Sequence, residues 1–322
     1  YQLDANELIR KIDGDILYLD PPYNARQYGA NYHLLNTIAL YDKFILNLRP
    51  EQNPRIMHIQ GGDISMSLGI FSLIIALYAH QKKDVRLTTL SVIGGLCGIV
   101  GSLLSTARGG WVALPVLLIV IPYIYRHSLS KRFFLTFFGI IVVASIGISQ
   151  LPNNRIMERI NVAQKDIQLY LDKNNGNTSL GARFEMWKSA IAMAKEKPLF
   201  GWGIQGATEK RKQETKEKIA TGNIGQFTHA HNQYLDDLSK RGIVGLLALL
   251  AVLFIPLRAF MKKLNTKNDE VKLIATLGVA HVLSVMIYGL SQGFLVHNSG
   301  TIFYFFLTIV FYAAIRTHQK AE

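Results

Sequence analysis

Seven long apolar runs, separated by polar loops of which one is long, constrain most strongly how this chain can fold. They span residues 64–80, 87–107, 111–125, 133–151, 243–257, 273–296 and 301–315. A bilayer core of about 30 Å needs about 20 residues at helical rise, and none of the runs alternates strictly like a membrane barrel strand. The fifth run reaches that length if Arg258 snorkels and extends it to about Met261. The sequence therefore predicts an all-α polytopic membrane protein with about seven transmembrane helices.

Basic residues are concentrated in alternate short loops, which predicts how the helices are oriented. Thirteen of them lie on one side, together with the C-terminus, and only Arg108 lies in the short loops of the other side. The positive-inside rule places the richer side in the cytoplasm, and the long polar loop 152–241 then faces the opposite compartment. The net charge of +13 is accounted for by this bias and does not require a nucleic acid partner. The single cysteine, Cys97, lies in an apolar run and excludes a disulfide scaffold.

Residues 1–43 do not share this pattern and form a separate unit from the membrane domain 44–322. A short apolar run, 16–19, ends in Asp20-Pro21-Pro22-Tyr23, which offers an acceptor and an aromatic face suited to a flipped adenine. The segment 15–28 resembles the catalytic segment of DNA adenine N6-methyltransferases, and the resemblance implies that these four residues are the catalytic motif. Forty-three residues lack the Gly-rich loop for S-adenosylmethionine and cannot bury a methyltransferase core. We interpret the segment as a short α/β-type remnant or fusion without methyltransferase activity.

The long loop 152–241 carries helical patterns of its own. An amphipathic helix is predicted over 154–171, either on the membrane surface or on the helix bundle. A second helix is predicted over 183–197, a strongly charged and solvated one over 208–220, and a last one over 230–241 with Gly242 as its C-cap.

Three residues outside the spans are candidates for chemistry. His231 begins the last loop helix, and a neutral imidazole with a pKa of about 6.5 can accept a proton from a hydroxyl. It could equally be a structural histidine, or form a metal pair with His229, although no third ligand stands at motif spacing. Arg183 can grip a phosphate with two hydrogen bonds, or be an ordinary surface residue. Arg108 lies between two apolar runs, where a charge is costly, and either has a function or snorkels into headgroups.

Four further polar residues are open to interpretation. His281 lies inside the sixth run and is expected to pack or to form an interhelical hydrogen bond, whereas His297 at its end could face the site. Asp236 and Asp237 either face solvent or orient basic residues.

Several of these residues belong to segments that resemble the O-antigen ligases. His231-Asn232, nine residues, and Gly242-Ile-Val-Gly245 match the periplasmic signature of that family: His, an amide or Ser, nine positions, and Gly-x-x-Gly. The segments 105–111, 181–187 and 198–203 are similar to others of the superfamily, which includes O-antigen polymerases and protein-glycosylating oligosaccharyltransferases. The likeness runs from about residue 55 to the C-terminus, with fewer early spans than the dozen usual in the family.

The resemblance implies a glycosyltransferase of lipopolysaccharide biosynthesis, with a periplasmic loop and a cytoplasmic C-terminus, in the bacterial inner membrane. It would move a glycan from undecaprenyl pyrophosphate to a sugar hydroxyl of lipid A–core, in contact with membrane lipids. His231 is then the candidate base, Arg183 and Arg108 clamp the pyrophosphate, and Asn232 binds substrate. Because two arginines supply the counter-charge, we expect no metal and no cofactor. The alternatives are a polymerase or protein-directed oligosaccharyltransferase, an inactive fusion product, and a transporter, which would place polar groups inside the helices.

Overall fold

The computed structural model describes residues 54–105, 108–126, 129–131, 139 and 155–320, and these residues form helices and turns without a strand. The methyltransferase-like motif lies outside the described residues, as does the predicted fourth span apart from residue 139. The helices used below are α1 (Pro54–Gln81), α2 (Val85–Ser105), α3 (Arg108–Ile124), α4 (Arg155–Lys173), α5 (Ser179–Glu196), α6 (Gly203–Lys216), α7 (Gln233–Met261), α8 (Asp269–Ser291) and α9 (Asn298–Lys320).

Five of the described helices are long and apolar enough to cross a membrane. They contain the candidate spans Ile59–Gln81, Val85–Ser105, Gln233–Met261, Asp269–Ser291 and Asn298–His318, and a shorter apolar helix covers Gly109–Ile124. The prediction of a helical membrane protein is therefore confirmed, and six of the seven apolar runs are found as helices.

Two span boundaries differ from the prediction. The sixth span ends at Ser291 rather than near residue 296, because Gln292 adopts an extended backbone and Gly293 starts a 3-10 turn. The first span begins at Ile59, which places Asp63 inside it. The described spans therefore contain an ionisable residue besides His281, since Asp63 is fully buried in α1.

Helix α8 is the centre of the bundle and packs against α3, α7 and α9. His281 on α8 is buried, and its Nε2 lies 3.0 Å from the carbonyl oxygen of Tyr304 on α9. This confirms the predicted interhelical hydrogen bond. Helices α1 and α2 approach closely through glycines, since a Cβ on Gly98 would lie 2.6 Å from the Cα of Gly69.

Helices α4, α5 and α6 lie between the spans, and a small apolar core joins α5 to the turns that precede α7. Its buried members are Met186, Ala190, Ile224 and Ala230. The predicted amphipathic and second loop helices are confirmed as α4 and α5. The helix predicted to be charged and solvated corresponds to α6, which is only partly solvated because its Arg211 and Glu214 are buried.

Gly242 joins two halves of α7 through a sharp kink. Its backbone has φ 65° and ψ −162°, which is not helical, so the predicted interruption at Gly242 is confirmed. The helix does not end there, however, and continues to Met261. The amides of Ile243 and Val244 donate to the carbonyls of Pro198 and Leu199, at 2.8 and 3.3 Å. The membrane half of α7 is thereby fixed to the turn that follows α5.

Candidate active site

A cavity of about 240 Å³ lies between the start of α5 and the turns that precede α7. It brings together Arg183 and His231, two of the residues predicted to carry the chemistry. The full lining consists of Gly176, Asn177, Thr178, Ser179, Ala182, Arg183, Met186, Asn223, Gln226, Phe227 and His231.

His231 is held in an uncommon backbone conformation with φ 49°. Positive φ is rare for a residue with a side chain, and costs of this kind persist only where the surroundings hold the residue in place. The His231 ring lies 5.6 Å from the Phe227 ring and 4.3 Å from that of His229, which in turn lies 6.1 Å from the ring of His297. The expectation that His297 faces this region is thereby supported.

The cluster formed by His229, His231 and His297 is neutral at ordinary pH. Burial is the main reason that the pKa of His231 is lowered to about 3, and electrostatic interactions with His229, Arg183 and His297 contribute to this shift. Burial likewise lowers the pKa of His229 to about 4 and lowers that of His297. Within the described residues, no group of three or more His, Cys, Asp or Glu side chains is arranged to hold a metal ion.

The backbone beside His231 is fixed by two side chains at Ala230. The Trp187 indole Nε1 donates to the Ala230 carbonyl at 3.0 Å, and the Ala230 amide donates to Asp236 Oδ1 at 2.9 Å. Trp187 belongs to α5, and Asp236 to the first turn of α7, so both helices that flank the cavity hold the backbone of the same residue, Ala230.

Two buried cations hold the peptide of Thr228 in the same way. Lys240 Nζ donates to the Thr228 carbonyl at 2.9 Å and to Asp236 Oδ2 at 2.6 Å, while Arg211 donates to that carbonyl at 3.0 Å. Arg211 is 0% exposed, Lys240 6% and Asp236 2%. Burial lowers the pKa of Arg211, and the carboxylates of Asp236 and Glu214 act against that shift. The solvent-facing alternative for Asp236 was therefore wrong, and its other predicted role, orienting basic residues, is confirmed.

Asn232 has its side-chain amide engaged at both ends. Its Oδ1 accepts from the amides of Tyr234 and Leu235, at 3.0 and 3.1 Å, and Nδ2 donates to the Leu290 carbonyl at 3.2 Å. The residue is thus the N-cap of α7 and ties it to α8. It is not among the residues that line the cavity.

Asp237 is buried and pairs with Arg241 one helical turn further on. It also accepts from Gln233 Nε2 at 2.7 Å, and Gln233 Oε1 accepts the amide of Leu295 at 3.0 Å. This chain of contacts connects the start of α7 to the turn that precedes His297.

Glu185 fixes the position of α5 relative to its surroundings. The buried carboxylate accepts from the Tyr170 hydroxyl at 2.5 Å, from the Thr221 amide at 2.9 Å and from Lys188 at 3.1 Å. Burial raises the pKa of Glu185, but these hydrogen bonds outweigh burial and its pKa is lowered overall. Glu185 thereby ties α4 and the loop after α6 to the helix that carries Arg183.

Arg108 begins α3, beyond the cavity lining, and its side chain lies outside the part of the chain that the structure describes. The glycines that follow it approach a buried carboxylate: a Cβ on Gly109 would lie 3.0 Å from Asp63 Oδ1. Asp63 also accepts from Gln292 at the end of α8. The role of Arg108 as a phosphate ligand stays a prediction.

Sequence reasoning missed Arg211 and Lys240 as parts of the site. For Lys240 a signal exists, because Asp236 and Lys240 stand four residues apart, as Asp237 and Arg241 do. Arg211 has no comparable signal in a helix rich in charge.

Comparison with known proteins finds two different families in different parts of the chain. A family model described as D12 class N6 adenine-specific DNA methyltransferase matches residues 1–54. Over 44 residues the chain is 84% identical to the type II methyltransferase M.NlaIII of Neisseria lactamica, which covers 14% of this chain and 13% of that protein. The resemblance of the N-terminal segment to a methyltransferase fragment is therefore confirmed.

The remainder of the chain matches proteins of a different kind. The chain is 42% identical over 274 residues to an uncharacterized protein of Haemophilus influenzae, which covers 85% of this chain and 68% of that protein. It is 24% identical over 194 residues to the O-antigen ligase of Escherichia coli, or 59% of this chain and 44% of the ligase. The exopolysaccharide production protein ExoQ of Rhizobium meliloti is 27% identical over 124 residues, 37% of this chain and 28% of ExoQ. A family model described as O-antigen ligase matches residues 93–250, and beyond its methyltransferase-like segment this chain belongs to the O-antigen ligase family.

Proposed function

We propose that this chain transfers a glycan from a pyrophosphate-linked lipid donor to a hydroxyl of an acceptor. The observation that carries the proposal is that His231 and Arg183 line one cavity outside the membrane spans. Such a cavity can hold the head of a lipid-linked substrate while its hydrocarbon tail stays in the bilayer. Family membership supports glycan transfer in polysaccharide synthesis as the general activity.

In the proposed reaction His231 is the general base. It is neutral, so it can accept the proton of the acceptor hydroxyl as that oxygen attacks the anomeric carbon. The bond from the anomeric carbon to the pyrophosphate oxygen breaks at the same time, and the configuration at that carbon inverts. A bound pyrophosphate would raise the low pKa of His231, because a nearby negative charge favours the imidazolium.

Arg183 is the proposed counter-charge for the departing pyrophosphate. Negative charge grows on the leaving group as the bond breaks, and a guanidinium already in place stabilises it without reorganisation. Arg108 is proposed as a second contact at the membrane end of the donor. Asn232 is retained as a residue of the site, and we propose that it acts by fixing the start of α7 rather than by direct contact with the glycan.

The rest of the lining suits a saccharide. Asn177, Asn223 and Gln226 present amides that can donate to and accept from sugar hydroxyls, and Phe227 offers an aromatic face. We propose undecaprenyl pyrophosphate as the carrier and a lipid A–core sugar as the acceptor. The charge bias of the loops supports an inner-membrane location, with the cavity on the periplasmic side and the C-terminus in the cytoplasm.

The test is complementation of bacterial cells that lack their own O-antigen ligase and still make the lipid-linked glycan. This chain should restore glycan on lipopolysaccharide, while His231→Ala and Arg183→Ala should not at equal protein level. Exposed residues of the same types supply matched controls, and His80→Ala and Arg86→Ala should keep full activity. Full activity of His231→Ala would refute the base assignment.

The same experiment distinguishes the alternatives. Glycan on a protein instead of lipopolysaccharide would assign a protein acceptor, and longer glycan chains without attachment would assign a polymerase. No product from an expressed, folded chain would identify an inactive fusion. Asp63 inside α1 is the feature that a transporter would use, and glycan uptake into vesicles without acceptor would support that function.

A further inference from the structure

Three large apolar side chains are exposed in and beside the turn that joins α5 to α6. Leu199 is 59% exposed, Phe200 74% and Ile204 60%. We call residues 198–204 the apolar turn. Large exposed apolar side chains grouped at one turn point to an interaction site, because water-facing turns are usually built from polar residues.

The apolar turn is attached to α7 at the point where that helix becomes apolar. The first half of α7 contains Asp236, Asp237, Lys240 and Arg241, whereas the part after Gly242 carries no charge until Arg258. The span of highest hydropathy among the described helices is that of α7, so its apolar part must enter the bilayer just beyond Gly242.

Backbone contacts fix the turn at this depth. Ile243 and Val244 donate to the carbonyls of Pro198 and Leu199, and the Trp202 amide donates to the Ser239 carbonyl at 3.0 Å. A Cβ on Gly201 would lie 2.5 Å from the carbonyl carbon of Lys240, so the two backbones touch.

The exposed side chains of the turn continue the outward surface of the span. On α7 itself Ile243, Val244 and Leu247 are exposed. A surface that is exposed on a membrane-spanning helix faces lipid. Leu199 and Phe200 lie beside the end of this surface that is nearest Gly242.

Charged and aromatic groups beside the turn match a headgroup layer. Lys197 Nζ lies 3.9 Å from the centroid of the Trp202 ring and Lys210 Nζ 5.1 Å from it. Tryptophan is enriched at membrane interfaces, and lysine ammonium groups are attracted to lipid phosphates there.

We propose that the apolar turn inserts Leu199 and Phe200 into the leaflet nearest Gly242, with Lys197 and Lys210 at the phospholipid headgroups. The occupant of this surface is therefore phospholipid. The insertion holds α5 and the first half of α7 against the membrane surface, and it thereby fixes the distance between the cavity and that surface. The proposal does not depend on the transfer reaction and is tested without it.

The single cysteine of the chain makes the test direct. In a Cys97→Ser background, Phe200→Cys is labelled with an environment-sensitive fluorophore and the full chain is placed in vesicles of phosphatidylethanolamine and phosphatidylglycerol. The matched control is Glu217→Cys, which is exposed just after α6. Helix α6 has 14 residues, so this position lies about 20 Å along the helix from the turn.

The label at position 200 should be quenched by lipids spin-labelled on the acyl chain and should lose quenching by aqueous iodide, relative to position 217. Equal iodide quenching at the two positions, with no acyl-chain quenching at 200, would overturn the proposal. Protection from both quenchers would also overturn it, because another protein surface would then cover the turn. A melting temperature unchanged from that of the Cys97→Ser parent excludes misfolding as the cause of any result.

Discussion

The Gly242→Ala substitution tests the joint between the two halves of α7. Gly242 has φ 65° and ψ −162°, a region that residues with side chains rarely adopt. An added Cβ would lie 2.3 Å from both the carbonyl carbon and the oxygen of Leu199, and 2.6 Å from the Phe200 amide nitrogen. All three atoms belong to the backbone, so no side-chain rotation can relieve the clash.

The expected cost has two parts. Forcing alanine into this backbone region costs about 1 to 3 kcal/mol. Moving the 198–200 backbone away also weakens the hydrogen bonds from Ile243 and Val244, each worth about 0.5 to 1.5 kcal/mol. We therefore expect Gly242→Ala to destabilise the protein by about 2 to 6 kcal/mol, at the upper end of single substitutions.

Gly203→Ala is the matched control. Gly203 also has positive φ, 71°, but a Cβ there would meet no atom within 4 Å. It should show the backbone cost alone, and the difference between the two variants measures the contact with the 198–200 backbone. Thermal unfolding in detergent, followed by tryptophan fluorescence, supplies both values. Equal destabilisation by the two substitutions would refute the conclusion that close backbone approach requires glycine at 242.

Three other outcomes are expected. Stability should fall as the pH decreases from 6.5 towards 4, because His231 binds a proton near pH 6.5 in the unfolded state and only near pH 3 in the folded state. Melting temperatures measured across this range should depend less on pH for His231→Asn than for the unsubstituted protein. Equal pH dependence of the two proteins would contradict the pKa assignment. Arg211→Ala should lower kcat about tenfold or more with a smaller change in KM, because the Thr228 carbonyl beside the histidines loses a hydrogen-bond donor. Arg211→Lys should restore part of the rate, and Lys212→Ala, at the neighbouring position, should leave it unchanged. A change confined to KM would contradict this positioning role. EDTA should leave the transfer rate of the purified chain unchanged, and inhibition that zinc reverses would instead favour a metal held by His229 and His231.

Local sequence patterns predicted the helices well because hydropathy and helical periodicity act over neighbouring residues. The runs that begin at residues 64 and 301 lie within the observed helices α1 and α9, and the run that begins at residue 87 coincides with α2 as far as Ser105. The start of the first span was placed too late, since Gln60 and Asp63 are polar and their burial depends on partners in distant segments. Gln60 Nε2 bonds to the Phe294 carbonyl, and Asp63 accepts from Gln292.

The site was predictable only in part for the same reason. The signature identified His231, and the start of a helix identified Arg183, but neither pattern contains the positive φ of His231 or its proximity to His229 and His297. Arg211 looked like one charge among many on a solvated helix. Its buried guanidinium is stabilised by the Thr228 carbonyl and the Asp236 carboxylate, which the fold brings to α6 from the turn before α7 and from the first turn of α7.

The structure gives a mechanical reason for the spacing in the signature. His231 stands just before α7, Gly242 at its kink, and α5 runs beside the stretch between them. Near one end Trp187 of α5 holds Ala230, and at the other the turn after α5 receives the amides that follow Gly242. One inserted residue would turn Gly242 by about 100° around the helix and move its bare Cα away from the Leu199 carbonyl. The nine-residue interval therefore matches the separation between two contacts, from Trp187 to the residue before His231 and from the turn after α5 to the residues after Gly242.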